Sequence, residues 1–294
     1  MTNPLTRRAA IISAGIAGML AIGNKAQAAT VTDTYQPSQF TADAIGATSD
    51  GWIDQTGVPW DDDSSAHNHR DTENRQNALA THHRDGIDGL YAILAPPTTT
   101  LKIMCVGDSI TEGAGSTSPG GGYNQYYLGT GQGYKPWLVS NLTRRRIKTE
   151  LTVIAEGGHT LRDQAPRVIA ALPTNRPDIV LIHLGTNDIG TDTDDWQNRY
   201  GQLIDSILAS SPTVKVACAL LQHYRRPYLD AGTTTINQWI TNAVAARAGT
   251  NRVTTADMRQ LSTHWTADGT HPLESGYLHI ANTWTSAITP WLPA

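Results

Sequence analysis

The 294-residue sequence predicts a three-layer α/β domain, in which a five-stranded parallel sheet carries helices on both faces. Three observations predict it. Short apolar runs recur at 101–106, 151–155, 179–184, 214–221 and 252–256. The segments between them place apolar residues at three- and four-residue spacing, the period of a helix with one buried face. The runs are apolar throughout rather than alternating, which suits strands covered on both sides, and parallel strands need the crossovers that such helices provide.

Taken in chain order, residues 1–28 read as a leader. Arg7 and Arg8 precede an apolar stretch from Ala9 to Ile22, and Ala26-Gln27-Ala28 offers a small-residue cleavage site, the make-up of a secretory signal peptide. The paired arginines resemble the twin-arginine export signal of bacteria, so the expected location is periplasmic or extracellular. Residues 29–100 form an irregular N-terminal extension, rich in Asp, His, Asn and Thr and closed by the linker-like "APPTTT". Here His67, His69, His82 and His83 lie near Asp61, Asp62 and Asp63, but without a ligand spacing that would mark a metal site. Trp52 and Trp60 read as packing residues. No metal and no cofactor is expected.

Residues 101–294 hold the α/β domain. One helix starts near Pro136, a favourable first-turn residue, and runs through Leu138 and Leu142. A second carries Trp196, Tyr200, Leu203, Ile204, Ile207 and Leu208, with Asp194 and Asp195 near its positive end. A third carries Ile236, Trp239, Ile240 and Val244, and the last carries Tyr277, Leu278, Ala281, Trp284 and Ile288 before Pro290. No stretch after the leader is long and apolar enough to cross a bilayer. The formal charge is −4. The leader contributes Arg7, Arg8 and Lys25 but no acid, so the remainder is more acidic still, which argues against nucleic acid as a partner.

Ligands of an open parallel sheet bind beyond the carboxyl ends of its strands, and four polar groups fall there. "CVGDSIT" ends the first run at Ser109, with Gly107 expected to let the chain turn. "AEGGHTL" follows the second run, "HLGTND" the third, and "ADGTHPLESG" the fifth. Each alone is an ordinary cap or turn. Together they supply one chemistry. A serine hydroxyl needs a base to attack a carbonyl, and His271 can take its proton. Asp268, three residues earlier, is within reach of the other ring nitrogen. The negative oxygen that forms needs fixed donors, for which the Ser109 and Gly157 N–H groups and the Asn187 side-chain amide are the candidates, with Gly158 as an alternative to Gly157. The expected reaction is acyl transfer through an acyl-serine, resolved by water.

Gly107-Asp108-Ser109-Ile110-Thr111, the glycine of Glu156-Gly157, Gly185-Thr186-Asn187-Asp188 and Asp268-Gly269-Thr270-His271-Pro272 resemble the four motif blocks of the SGNH (GDSL) hydrolase superfamily. The resemblance covers about two thirds of the chain. It implies a flavodoxin-like sheet of order 2-1-3-4-5, Ser109 as nucleophile, His271 as base, Asp268 as its partner, and Gly157 and Asn187 as oxyanion donors. Ala155 departs from the pattern, since many members carry Asn there. "GDSITEG" with "GGY" and "GYKPWL" is similar to the carbohydrate esterase family three acetylxylan esterases, and this implies removal of short acyl groups from carbohydrate. Lipase, lysophospholipase, acyltransferase and non-catalytic carbohydrate-binding roles are the alternatives. Asp108, Tyr123, Tyr126 and Tyr134 are candidate substrate contacts, the tyrosines in a stretch that is longer here than in those esterases. With that strand order, Cys105 and Cys218 lie two strands apart, roughly 9 to 10 Å, too far for a disulfide.

Overall fold

Burial along the strands explains why three of the five apolar runs stand out in the sequence. The computed structural model describes residues 97–116, 132–261 and 268–293, together with Asp88. The strands are β1 (Thr99–Gly107), β2 (Ile147–Ala155), β3 (Ile179–His183), β4 (Lys215–Leu220) and β5 (Val253–Asp257). They form one sheet in the order β2-β1-β3-β4-β5, every pair parallel. The central strands are buried nearly throughout, β1 from Ile103 onward, β3 at every residue and β4 from Val216. The edge strands β2 and β5 are only partly covered, and their sequences are correspondingly mixed, with Lys148, Glu150 and Thr254 among them.

Among the described residues, helices connect the strands and a further one follows the last of them. They are α1 (Ser109–Glu112), α2 (Lys135–Thr143), α3 (Leu161–Asn175), α4 (Trp196–Ser210), α5 (Pro227–Ala245) and α6 (Glu274–Ile288). On one face α2 packs against α6; on the other, α3, α4 and α5 lie side by side. Trp284 of α6 is fully buried, with its ring 6.3 Å from those of Tyr134 and His183. Across the sheet Trp196 stacks on Tyr200 at 4.8 Å and on Trp239 at 5.9 Å. Truncating a buried ring such as Trp196 or Trp284 to alanine costs about 3–5 kcal/mol.

The four helices assigned residues in the sequence form, and α3 is the crossover helix expected between the second and third runs, for which no residues were singled out. Pro166 and Pro173 lie inside it, and internal prolines argue against a helix. A capping box starts it nonetheless: the Thr160 hydroxyl accepts the Asp163 N–H, and the Asp163 carboxylate accepts the Thr160 N–H. Cys105 and Cys218 are both free and buried, as the strand order requires. The leader and almost all of the extension, including the histidine cluster, Trp52 and Trp60, lie outside the described residues. No helix among the described residues is long and apolar enough to cross a membrane.

Candidate active site

The end of β1 is built around an approach too close for any side chain. A Cβ on Gly107 would collide with the Thr111 side chain and stand 2.9 Å from the His183 carbonyl oxygen. Gly107 is therefore needed for clearance, not for the turn that its position suggests. The Gln164 side-chain amide of α3 donates to the Gly107 carbonyl at 2.9 Å, tying this strand end to the helix beside it. Asp108 then caps α1, its Oδ1 accepting the Ile110 N–H at 3.0 Å, and Ser109 occupies the first helical position.

Ser109 Oγ lies 2.8 Å from His271 Nε2, and His271 Nδ1 lies 3.0 Å from Asp268 Oδ2. Asp268 divides its oxygens: Oδ1 accepts the N–H groups of Thr270 and His271 at 3.0 and 2.8 Å, leaving Oδ2 for the ring. Burial pushes the Asp268 carboxyl up, but these hydrogen bonds and the His271 charge prevail and hold it at about 2. An ionised carboxylate only accepts, so Nδ1 carries the ring proton and Nε2 is left to accept from the serine hydroxyl. The loop is docked on the segment after β4, where the Arg225 N–H donates to the Gly269 carbonyl at 2.9 Å and Arg226 Nη2 stands 3.4 Å from Asp268 Oδ2.

Two of the expected oxyanion donors are already engaged. Gly185 has φ +130°, a backbone state suited to glycine, and it turns the chain so that Asn187 Nδ2 donates to the His159 carbonyl at 3.0 Å. The second amide hydrogen of Asn187 is left for a ligand. Gly157 stands against the nucleophile: the position of a Cβ there is 3.5 Å from Ser109 Cβ, whereas a Cβ on Gly158 would meet nothing within 4 Å. The Gly157 N–H, however, donates to Glu112 Oε2 at 3.0 Å. Glu112 was not among the expected site residues. Its only sequence signal is its place inside "GDSITEG".

Three further groups hold the site. Lys135 Nζ donates to the carbonyls of Thr111 and Glu112 at 2.6 and 3.0 Å, closing the last turn of α1. Burial lowers its pKa to about 8, against the pull of nearby Cys105 and Glu112. Asp188 accepts the Leu161 N–H at 3.1 Å, which binds the Asn187 turn to the start of α3. Glu274, buried at the start of α6, accepts from Ser116 Oγ at 2.7 Å and from Trp137 Nε1 at 2.6 Å.

The candidate substrate contacts need correcting. Asp108 and Tyr134 are fully buried, so neither presents a surface to a substrate. Asp108 is a helix cap whose carboxyl burial raises to about 6, and Tyr134 packs on Trp284 and donates to Thr111 Oγ1 at 3.5 Å. Tyr123 and Tyr126 lie outside the described residues. Among the described residues no group of three or more His, Cys, Asp or Glu side chains is arranged to hold a metal ion.

A parallel sheet of this order, with Ser109, Gly157, Asn187 and His271 gathered at the carboxyl ends of its strands, defines an SGNH-type α/β domain. Residues 105–279 match the GDSL-like Lipase/Acylhydrolase family. The chain belongs to that family and is a carboxylic ester hydrolase. A search of curated proteins gave no match. Among solved structures, the chain is similar to a family 3 carbohydrate esterase from Clostridium thermocellum, with TM-score 0.53 and 24% identity over 65% of this chain and 96% of that one. A carbohydrate esterase family 3 protein from Talaromyces cellulolyticus gives 0.52 and 22% over 65% and 97%. A carbohydrate esterase family 2 enzyme with a carbohydrate-binding domain, from Corynascus thermopiles (Myceliophthora fergusii), gives 0.53 and 20% over 66% and 67%. At these identities the likeness is one of fold.

Proposed function

We propose that the protein is a secreted serine esterase that removes short acyl groups, acetyl foremost, from carbohydrate esters through an acyl-serine intermediate. The observation that carries the reading is the continuous Ser109–His271–Asp268 chain, with bonds of 2.8 and 3.0 Å. Ser109 Oγ attacks the ester carbonyl carbon as its proton passes to His271 Nε2, and the carbonyl electron pair moves onto oxygen. The Ser109 and Gly157 N–H groups and the Asn187 amide receive that charge. Collapse expels the sugar oxygen, which leaves with the proton held by His271. Water, giving its proton to the same nitrogen, then attacks the acyl carbon; collapse breaks the bond to Ser109 Oγ, which takes the proton back from His271, and the acid is released and ionises to a carboxylate. Asp268 steadies the imidazolium in both halves.

The carbohydrate half of the proposal draws on the solved relatives, which are described as carbohydrate esterases. The short-acyl half draws on Glu112, because a carboxylate bonded beside the nucleophile is a poor wall for a long alkyl chain. Secretion draws on the leader. The test is hydrolysis of p-nitrophenyl esters from acetate to palmitate, with acetylated xylan alongside, by the mature protein and by Ser109→Ala. The expected result is wild-type activity falling steeply beyond butyrate, with acetate released from xylan and the variant inert. Activity that peaks on long chains would move the protein to lipid esters. Turnover by Ser109→Ala would remove the acyl-serine.

A further inference from the structure

Glu112 is a part-exposed carboxylate that the reaction above does not use. It ends α1, the helix that Ser109 begins, and its Oε2 takes the N–H of a residue 45 positions further along the chain. The same oxygen lies 3.1 Å, and Ser109 Cβ 3.5 Å, from the point where a Gly157 Cβ would stand. Carboxylate, glycine amide and nucleophile therefore meet in one small volume. The backbone from which Glu112 projects is fixed by Lys135, whose ammonium is spent on the Thr111 and Glu112 carbonyls.

An N–H group carries one hydrogen, and an acceptor at 3.0 Å claims it. Gly157 is thus committed to an anion before any substrate arrives. That anion is chemically the same group as the carboxylate product of ester hydrolysis and carries the same charge as the tetrahedral oxyanion. A full charge shared over two oxygens, held by one N–H at a solvent-reached position, is a modest competitor. The tetrahedral oxygen, covalently held against the same donor, displaces it. A free product carboxylate, without that tether, competes on far weaker terms.

We propose that Glu112 is a specificity-determining residue that occupies the Gly157 donor between turnovers and so keeps monocarboxylate products out of the oxyanion hole. The proposal rests on the serine-esterase reading for its account of what Gly157 does. It assigns to the wild type a weak affinity for its own product, and it makes acyl groups with a second negative charge poor substrates by repulsion.

The test measures acetate binding without turnover, by calorimetry on Ser109→Ala and on Ser109→Ala combined with Glu112→Ala or Glu112→Gln. Acetate should bind about tenfold more tightly once Glu112→Ala frees the donor, the scale of one charge-assisted hydrogen bond. Glu112→Gln, which keeps the shape but loses the charge, should fall between, and thermal melts establish that each variant is folded. In the Ser109-containing protein, acetate should inhibit Glu112→Ala more strongly than wild type, as a competitor of substrate. Unchanged or weaker acetate binding in both double variants would overturn the proposal. So would a loss of turnover in Glu112→Ala that Glu112→Gln restores with acetate affinity unmoved, for Glu112 would then merely brace the glycine. Residual esterase activity in Ser109→Ala would defeat the acyl-serine reading by itself, and the acetate comparison does not depend on that result.

Discussion

Ser109 and His271 share one proton path, so removing either should have nearly the same consequence. Ser109→Ala and His271→Ala are each expected to lose nearly all turnover of an acetyl ester while melting close to wild type, and a retained rate above a few per cent would break the assignment. Asp268→Asn should cost less than His271→Ala, because Asp268 orients and steadies the ring without receiving a proton. Equal losses would contradict that division. Asn187→Ala should lower kcat by about a hundred- to a thousandfold, the scale of one oxyanion donor, and steady-state kinetics on p-nitrophenyl acetate will show it. The residues named by these variants were legible in the sequence because each motif combines a reactive side chain with a turn. The misread residues are Asp108, beside Ser109 in its motif, and Tyr134, in the separate stretch "GYKPWL". What packs over a side chain is a property of the whole fold, and both turned out to be fully buried.

At the level of elements, α3 ties the loop of Asn187 to the end of β1 that carries Ser109. Its first turn receives Asp188 from the loop that carries Asn187, and its Gln164 holds the end of β1. Burial, helped by the negative charge of Asp192 and Asp108, raises the Asp188 carboxyl from 3.8 to about 7. The folded protein therefore holds a proton that the unfolded chain releases above 3.8. Stability from this group is complete below that pH and is lost as pH rises through about 7. Melting temperature measured against pH should show this fall in wild type, and Asp188→Asn, which cannot ionise, should make it shallower, the remainder coming from Asp108, whose carboxyl burial raises to about 6; an identical slope in both proteins would show that Asp188 does not titrate there. The helix was hidden in the sequence by Pro166 and Pro173, although Thr160 and Asp163 mark its start. Leu161, Val168 and Leu172 keep the helical period through the prolines, so spacing and cap agree on the helix where the prolines argue against it.

Across the whole molecule, strand order decides chemistry far from the site. Cys105 and Cys218 sit on β1 and β4 with β3 between them, and burial pushes their thiols up to about 11 and about 12. Neither should react with a thiol reagent until the protein unfolds, at which point both should, and a colorimetric thiol titration in buffer and in denaturant checks this. The sheet was readable because three of its strands are apolar at almost every residue, a pattern that few other structures demand. The Glu112 to Gly157 contact was not, since it depends on how two strand ends face each other. The triad has a consequence for refolding as well. Ser109 and His271 are 162 residues apart, with β2, β3, β4 and β5 lying between them in the chain, so the pair exists only when both ends of that span are held by the folded sheet. An unfolded chain therefore lacks the pair, and esterase activity that returns on refolding reports that these two distant stretches have met.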